Sequence, residues 1–338
     1  MTDTDHDSSV VIVATEEDLT ADLVVAHLLG GPTAVLRLDP GRLRERPSIT
    51  GHFADGCWRT ALTSGKATVV LDEHCAVYWR KPTRPDTLGS GEERWRADEN
   101  TTALLGLLRA QPLKVWVDDP TIVEASRHKP TQLRAAARRG FTVPDTLFTS
   151  DPGAARAFIA AHHDKVVVKA LTQRHTTFIP TTRIRLSDDL SGIAGTVHYL
   201  QALVEDRLFD ARVTVVDDHV FAAAISTPDA LDWRALPAAA CEHRVIEPPA
   251  ELVRACVEHV RDLGLTYAAL DFVVTEAGWT YLETNCVGEF GWIESATGLP
   301  ISARIAHTLR HGRSGPTGAS RHTPAHGGSG TVPTPGDR

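Results

Sequence analysis

Tyr267-Ala-Ala-Leu-Asp-Phe-Val-Val-Thr-Glu-Ala-Gly-Trp-Thr-Tyr-Leu-Glu-Thr-Asn285 is the stretch on which the reading of this chain turns. Two apolar runs flank Glu276-Ala-Gly278, so it reads as a hairpin: a strand over 267–275, a turn, and a strand over 279–285. With the turn centred on Ala277, Asp271 falls opposite Glu283, two carboxylates with Cβ atoms about 5 Å apart. Facing each other among apolar residues, they destabilise the pair unless positive charge stands between them. Asn285 points to the same face as Glu283, because side chains alternate along a strand. Oxygens of Asp271, Glu283 and Asn285 on one face are hard donors that suit Mg²⁺, an ion that keeps waters and borrows phosphate oxygens. A register shifted by one residue would put the carboxylates on opposite faces, and spacing alone leaves both arrangements open.

Working outward, the residues that could meet an anion are few. Lys169 ends the run Lys165-Val-Val-Val-Lys169 and either snorkels to solvent or offers a point charge in a cleft. Lys129 precedes the helix that Pro130 begins, where backbone N–H groups and a lysine can converge on phosphate, though a surface lysine reads the same way. Asp210 and Arg212 lie two apart in Phe209-Asp-Ala-Arg-Val-Thr-Val-Val216 and so share a face. They read as an in-sheet ion pair or as a functional arginine aimed at carboxylate or phosphate. Gln201-Ala-Leu-Val204 is a strand whose backbone could meet an adenine edge. No Gly-x-x-x-x-Gly-Lys-Ser/Thr loop occurs, which excludes a P-loop.

The rest of the chain bounds these readings. It has 338 residues, 42% hydrophobic and 23% charged, which marks a folded protein with room for two or three subdomains. Its 35 Lys+Arg against 43 Asp+Glu give a net charge of −8, and without basic blocks this argues against electrostatic binding of nucleic acid. No apolar run approaches the ~20 residues needed to cross a bilayer, so no membrane partner is expected. Met1 to Ser9 is acidic and polar without a signal-peptide pattern, and a cytoplasmic protein is expected. Five scattered cysteines without metal spacing read as reduced thiols, and sixteen dispersed histidines as structural or solvated. Val10–Ala14, Thr20–Leu29 and Thr33–Leu38 read as strand, helix, strand, an α/β opening without a dinucleotide turn. Strands are expected at 58–62, 67–71, 75–80, 113–117, 165–170, 197–204, 211–216 and 219–225. Helices are expected at 92–110, 131–139, 152–163, 249–264 and 301–310. A polar loop carries Arg174 and His175, and the tail from His311 is rich in Gly, Ser, Pro and Thr.

Several segments in this order resemble the ATP-grasp superfamily, specifically RimK-like ligases and, among them, the graspetide (omega-ester peptide) synthetases. They are Val77-Tyr-Trp-Arg-Lys-Pro82, Leu190-Ser-Gly-Ile193, Asp210-Ala-Arg-Val-Thr-Val-Val216, Ala269-Leu-Asp-Phe272, Leu282-Glu-Thr-Asn285 and Gly291-Trp-Ile-Glu-Ser-Ala-Thr-Gly-Leu-Pro300. The resemblance runs from about Val11 to Arg310. It implies an α/β (α+β) ATP-grasp fold: an amino-terminal α/β domain over 10–118, a central subdomain over 119–204 and a carboxy-terminal grasp subdomain over 205–310. Residues 1–9 and 311–338 are expected to be disordered.

The same resemblance implies ATP and Mg²⁺ as cofactors. Lys129, Lys169 and Asp210 would contact the nucleotide, and Gln201, Ala202, Leu203 and Val204 would form the adenine hinge. Asp271, Glu283 and Asn285 would hold the metal, Arg212 would steady the transferred phosphoryl group, and Trp79 and Arg80 would meet substrate. The implied activity is a ligase that phosphorylates Asp or Glu side chains of a ribosomal precursor peptide and closes ester or amide macrocycles. The implied partners are that peptide, leader plus acidic core, and a second copy of the chain as a homodimer. Two alternatives accompany it: addition of a free amino acid to a carboxylate, and a non-catalytic ATP- or leader-binding module. This chain departs from the family in Asn285-Cys-Val-Gly288, where a proline usually follows the asparagine, in Ala202-Leu203 at the hinge, and in Asp217-Asp218 at a turn.

Overall fold

The computed structural model describes residues 8–43, 47–64, 67–172, 178–227, 230–237 and 240–314. Val10-Val-Ile-Val13 is apolar on both faces, and the strand it forms, β1 (Ser9–Val13), is buried on both. The carboxylate of Asp18 accepts from Ala21 N–H (3.0 Å) and starts α1 (Leu19–Leu28), which leads to β2 (Ala34–Leu38). Three antiparallel strands follow: β3 (Ser48–Ala54), β4 (Cys57–Ser64) and β5 (Ala67–Val70). Then come β6 (Cys75–Trp79), α2 (Gly91–Arg109), opened by a Ser90–Glu93 capping box, and β7 (Val115–Val117). The parallel sheet runs β2-β1-β6-β7. Leu62, Leu104 and Leu108 pack beneath one face of it, among Val11, Val13 and Val77.

Past β7 the chain forms α3 (Pro120–Ser126) and α4 (Lys129–Arg138). A second, four-stranded antiparallel sheet, ordered β10-β9-β11-β8, comprises β8 (Thr146–Thr149), β9 (Val166–Lys169), β10 (Thr182–Ile184) and β11 (His198–Ala202). α5 (Pro152–Ala161) packs on it through Ala155 and Ile159.

A five-stranded antiparallel sheet completes the site's surroundings, in the order β14-β13-β12-β15-β16. Its strands are β12 (Phe209–Val216), β13 (His219–Ser226), β14 (Glu242–Val245), β15 (Tyr267–Thr275) and β16 (Gly278–Asn285), with α6 (Ala250–Asp262) between β14 and β15. Cys256, Val257 and Val260 of α6 pack against Val213, Leu270 and Phe272. After α7 (Gly291–Thr297), α8 (Ile301–His311) returns to the first sheet, where Ile301, Ile305 and Leu309 meet Val10, Ile12, Ala21 and Val24. Among the described residues no helix is long and apolar enough to cross a membrane.

The structure adds elements that the pattern did not show. β3 is nearly all exposed, so it carries no apolar period; it pairs with β4 through Asp55-Gly56, both at positive φ (55° and 78°) as a tight hairpin requires. α3, β8, β10, β14 and α7 are three to seven residues long and too short for periodicity to register. His311 is the last residue of α8 rather than the start of the tail. Residues 1–7 and 315–338, and with them most of both expected disordered ends, lie outside the described residues, as do Arg174 and His175. All five cysteines are free thiols, and only Cys57 is fully exposed.

Candidate metal and phosphate site

The β15–β16 hairpin closes on a two-residue turn, Glu276-Ala277, with Thr275 paired to Gly278. That register would set Leu282 against Asp271. It slips by one residue between Phe272 and Asp271, so Phe272 faces Tyr281 while Asp271 faces Glu283. The expected pairing of Asp271 with Glu283 is therefore present, but a bulge at Leu282 produces it rather than a turn centred on Ala277. The bulge also rephases the strand. Tyr281 is fully buried in the core and Thr284 is 2% exposed, whereas Glu283 and Asn285 share the face of Asp271.

On that face the carboxylates converge. Asn285 Nδ2 donates to Asp271 Oδ2 (3.0 Å) and to Glu283 Oε1 (3.3 Å), so its amide marks the point between them. Lys129 Nζ lies 2.6 Å from Glu283 Oε2 and Arg234 Nη1 3.0 Å from Oε1. Arg212, directly opposite Asp271 across β12 and β15, donates from Nε to Oδ1 (2.6 Å) and from Nη2 to Oδ2 (3.4 Å). Burial pushes Glu283 up, but Lys129, Arg234 and Lys169 together hold its carboxyl well below the usual range. Asp271 moves the other way: burial raises it, and Arg212 offsets only part.

The donor set fits a hard divalent cation. Two carboxylates and an amide share one point, and turning the Asn285 amide over would present its oxygen there. The fit shows in the chemistry of these groups, which are oxygen donors without a competing thiolate or imidazole.

Positive charge stands on the neighbouring elements. Lys129 is the first residue of α4, one position earlier than the helix start the sequence suggested, with Pro130 in the first turn. Gln132 fixes that end of α4: its Oε1 accepts from Thr284 N–H (3.2 Å), and its Nε2 donates to Thr284 O (2.7 Å) and Ser126 O (2.8 Å). Lys169, at the end of β9, donates to Gln201 Oε1 (2.7 Å); burial pulls its pKa down to about 8, with Glu283 opposing and Arg234 and Lys129 reinforcing the fall. A cavity of about 510 Å³ opens between the β8–β11 sheet and the β12–β16 sheet; Lys129, Lys169, Arg234, Asp271, Glu283 and Val204 line it.

All four residues of the expected hinge, Gln201, Ala202, Leu203 and Val204, line the cavity. Gln201 is 1% exposed, and its amide is spent on Lys169, Thr146 and Tyr199. Ala202 N–H donates to Asp145 O (2.9 Å) and Leu203 N–H to Lys165 O (2.8 Å). Val204 follows them on the same cavity wall. Asp210 lies on the same wall, 3.1 Å from Arg207, and burial lifts its pKa to about 6.

Three expected site residues lie off the cavity wall. Arg212 is 5% exposed and does not line the cavity; Asp271 stands between them and takes its guanidinium. Trp79 and Arg80 are not at the cavity either. Trp79 is 8% exposed in the core of the first sheet. Arg80, 4% exposed, donates to Val287 O (3.0 Å) and pairs with Glu289, so it ties the first sheet to the loop after Asn285. Both were read from a motif at a strand end, and sheet burial consumed them.

Sequence reading missed Asp232 and Arg234. Asp232 accepts from Thr181 N–H (3.1 Å) and from Arg234 Nε (2.9 Å), which aims Arg234 at Glu283. The available signal was a second Asp-x-Arg triplet, Asp232-Trp-Arg234, repeating Asp210-Ala-Arg212.

Among solved structures, the macrocyclase MdnC of Microcystis aeruginosa MRC, bound with precursor peptide MdnA, gives a TM-score of 0.75 at 24% identity, covering 89% of this chain and 99% of its own. A RiPP-associated ATP-grasp ligase of Chryseobacterium gregarium, in complex with ADP and a leader and core peptide, gives 0.74 at 22% identity over 89% and 96%. The chain has the ATP-grasp fold. The ATP-grasp ligase PsnB, complexed with minimal precursor, Mg and ADP, gives 0.68 at 24% identity over 91% and 98%. No protein-family model matches the chain, and no curated protein does. Within this ATP-grasp fold, the cavity lies between the two antiparallel sheets, and β9, β12, β15, β16 and α4 each send a charged side chain toward it or toward its carboxylates.

Proposed function

We propose that the chain is an ATP-dependent, Mg²⁺-requiring ligase that activates Asp or Glu side chains of a ribosomally made precursor peptide and closes ester or amide macrocycles. The observation that carries this reading is the convergence of Asp271, Glu283 and Asn285 beside Lys129 and Lys169 in one cavity. The peptide substrate rests on the likeness to MdnC and PsnB, each solved with a precursor. In the same reading the chain divides near 118/119 and 204/205, works in the cytoplasm and pairs as a homodimer.

When bound, ATP would supply the γ-phosphoryl group that turns a carboxylate into an acyl phosphate with release of ADP, Mg²⁺ would offset the phosphate charge, and a hydroxyl or amine would then displace inorganic phosphate to give the ester or amide. The chain's residues supply position and charge. Asp271, Glu283 and Asn285 hold the cation. Lys129 and Lys169 neutralise phosphate oxygens, and Arg234 adds a third cation on the same side. Val204 offers backbone to the base. Arg212 keeps the Asp271 carboxylate in place.

The test is incubation of the full chain with ATP, Mg²⁺ and an acidic peptide bearing Thr and Lys, followed by mass measurement and ADP assay. Loss of one water per ring with matching ADP supports macrocyclisation. A mass gain in the presence of free amino acids replaces it with ligation, and ATP binding without ADP release replaces it with a binding module.

A further inference from the structure

Arg212 raises a physical question: what keeps a long, buried guanidinium on one carboxylate beside a cavity full of other anionic partners? Its Cζ lies 5.7 Å from the Trp233 ring centroid and 5.5 Å from that of Trp292. The two indoles are 4.9 Å apart and tilted by 41°, so they form a bent platform with the guanidinium resting across both faces. A cation over an indole face is held by the ring quadrupole, most strongly where water is excluded, and Arg212 is only 5% exposed.

Each indole is fixed by a different part of the chain. Trp233 sits in the short helical turn Trp233–Ala235, anchored by the Asp232 contacts to Thr181 and Arg234. Trp292, in α7, donates from Nε1 to Glu289 O (3.0 Å) and receives His243 against its edge (5.3 Å). The Glu289 carboxylate is in turn held by Arg80, Lys81 and Thr20. Trp292 meets the site through Arg212, whereas Trp233 also lines the cavity and its ring centroid lies 5.9 Å from the Arg234 guanidinium that pairs with Glu283, so Trp292 is the cleaner probe of the Arg212 route.

We propose that Trp233 and Trp292 are positioning residues: their paired faces hold the Arg212 guanidinium on one side of Asp271 and so fix that carboxylate as a divalent-cation ligand. This rests on the metal reading of the site. Held on the platform, Arg212 keeps Nε on Asp271 Oδ1 (2.6 Å) and reaches Oδ2 only at 3.4 Å, so that Oδ2 is shared with the point that Asn285 marks. Released, it is free to close on Oδ2 as well and compete with the cation.

The experiment uses the full chain labelled with ¹⁵N-arginine. The Arg212 Nε–H resonance, assigned by its loss in Arg212→Lys, reports the platform through ring-current shift, and Mn²⁺ titration in the presence of ADP reports the site. Trp233→Leu and Trp292→Leu each move the resonance downfield and weaken Mn²⁺ binding by roughly tenfold or more, as loss of a ligand-orienting partner does. For Trp292→Leu, which lies off the cavity wall, ADP affinity without metal stays within about twofold, and the Phe variants of both keep Mn²⁺ affinity within about threefold of the parent, because an aromatic face remains. A resonance unmoved by the Leu substitutions overturns the clamp. So do unchanged Mn²⁺ affinity, Phe variants as weak as Leu, or equal loss of ADP binding in Trp292→Leu. A parent chain that binds neither ADP nor Mn²⁺ sinks the functional reading instead, and the resonance alone then decides the platform.

Discussion

At the scale of single residues, the site is a balance between burial and paired charge. Glu283 meets Lys129 and Arg234 directly and stays ionised although only a fifth of its side chain is exposed. Glu283→Gln keeps the shape and removes the charge, so turnover is expected to fall at least a hundredfold, in the range seen when preorganised electrostatics are lost, with the thermal midpoint little changed. Steady-state ADP release and a melting curve check this, and unchanged turnover removes Glu283 from the site. Lys169 supplies a pH prediction. Its pKa of about 8 lies below the ordinary lysine value because burial disfavours the ammonium, so the charge is present below pH 8 and lost as pH rises through it. Nucleotide affinity is therefore expected to weaken between pH 7 and pH 9.5. Lys169→Arg, which cannot lose its proton, flattens that profile, and a dissociation constant for ATP measured across this range reads the difference.

At the scale of elements, α4 and β16 act as one unit through Gln132. That amide satisfies the backbone N–H and C=O of Thr284 and the carbonyl of Ser126, all buried. Gln132→Ala strands these groups, at a cost of about 2 kcal/mol, and frees the end of α4 that carries Lys129. A lower urea midpoint together with a several-fold higher KM for ATP is expected; a lower midpoint with unchanged KM would mean that Lys129 is placed by something else. Elements of this kind set the limit of what could be read from the chain. Val10-Val-Ile-Val13 and the 267–285 hairpin were legible as short apolar runs bounded by turn residues, and α6 by its helical stripe. The bulge at Leu282 was not, since a tight turn and a bulge together give the same pairing at Asp271 as a wider turn alone. Arg212, Trp79 and Arg80 stand out in the sequence, but their burial away from the cavity wall does not. Their motif neighbours say which strand end they occupy, whereas only packing says that Asp271, the first-sheet core and Glu289 take them up.

At the scale of the whole molecule, the segment after Asn285 joins the site's sheet to the first one. The carboxylate of Glu289, just past the proposed metal ligands, enters the end of the parallel sheet, where Thr20, Arg80 and Lys81 receive it, and α8 then packs back over that sheet. The described core thus draws on residues from Val10 to Leu309, and Arg80 of the first sheet's end hydrogen-bonds Val287 O, two residues past Asn285. The reading of the molecule depends on a cation held by Asp271, Glu283 and Asn285 within reach of phosphates on Lys129 and Lys169. A crystal of the full chain grown with ADP and Mn²⁺ tests it most directly, by the anomalous difference map. The account predicts a peak bonded to oxygens of all three side chains, with nucleotide phosphate between it and the two lysines. ADP seated in the cavity with no peak there, or manganese bound at another place, would contradict it.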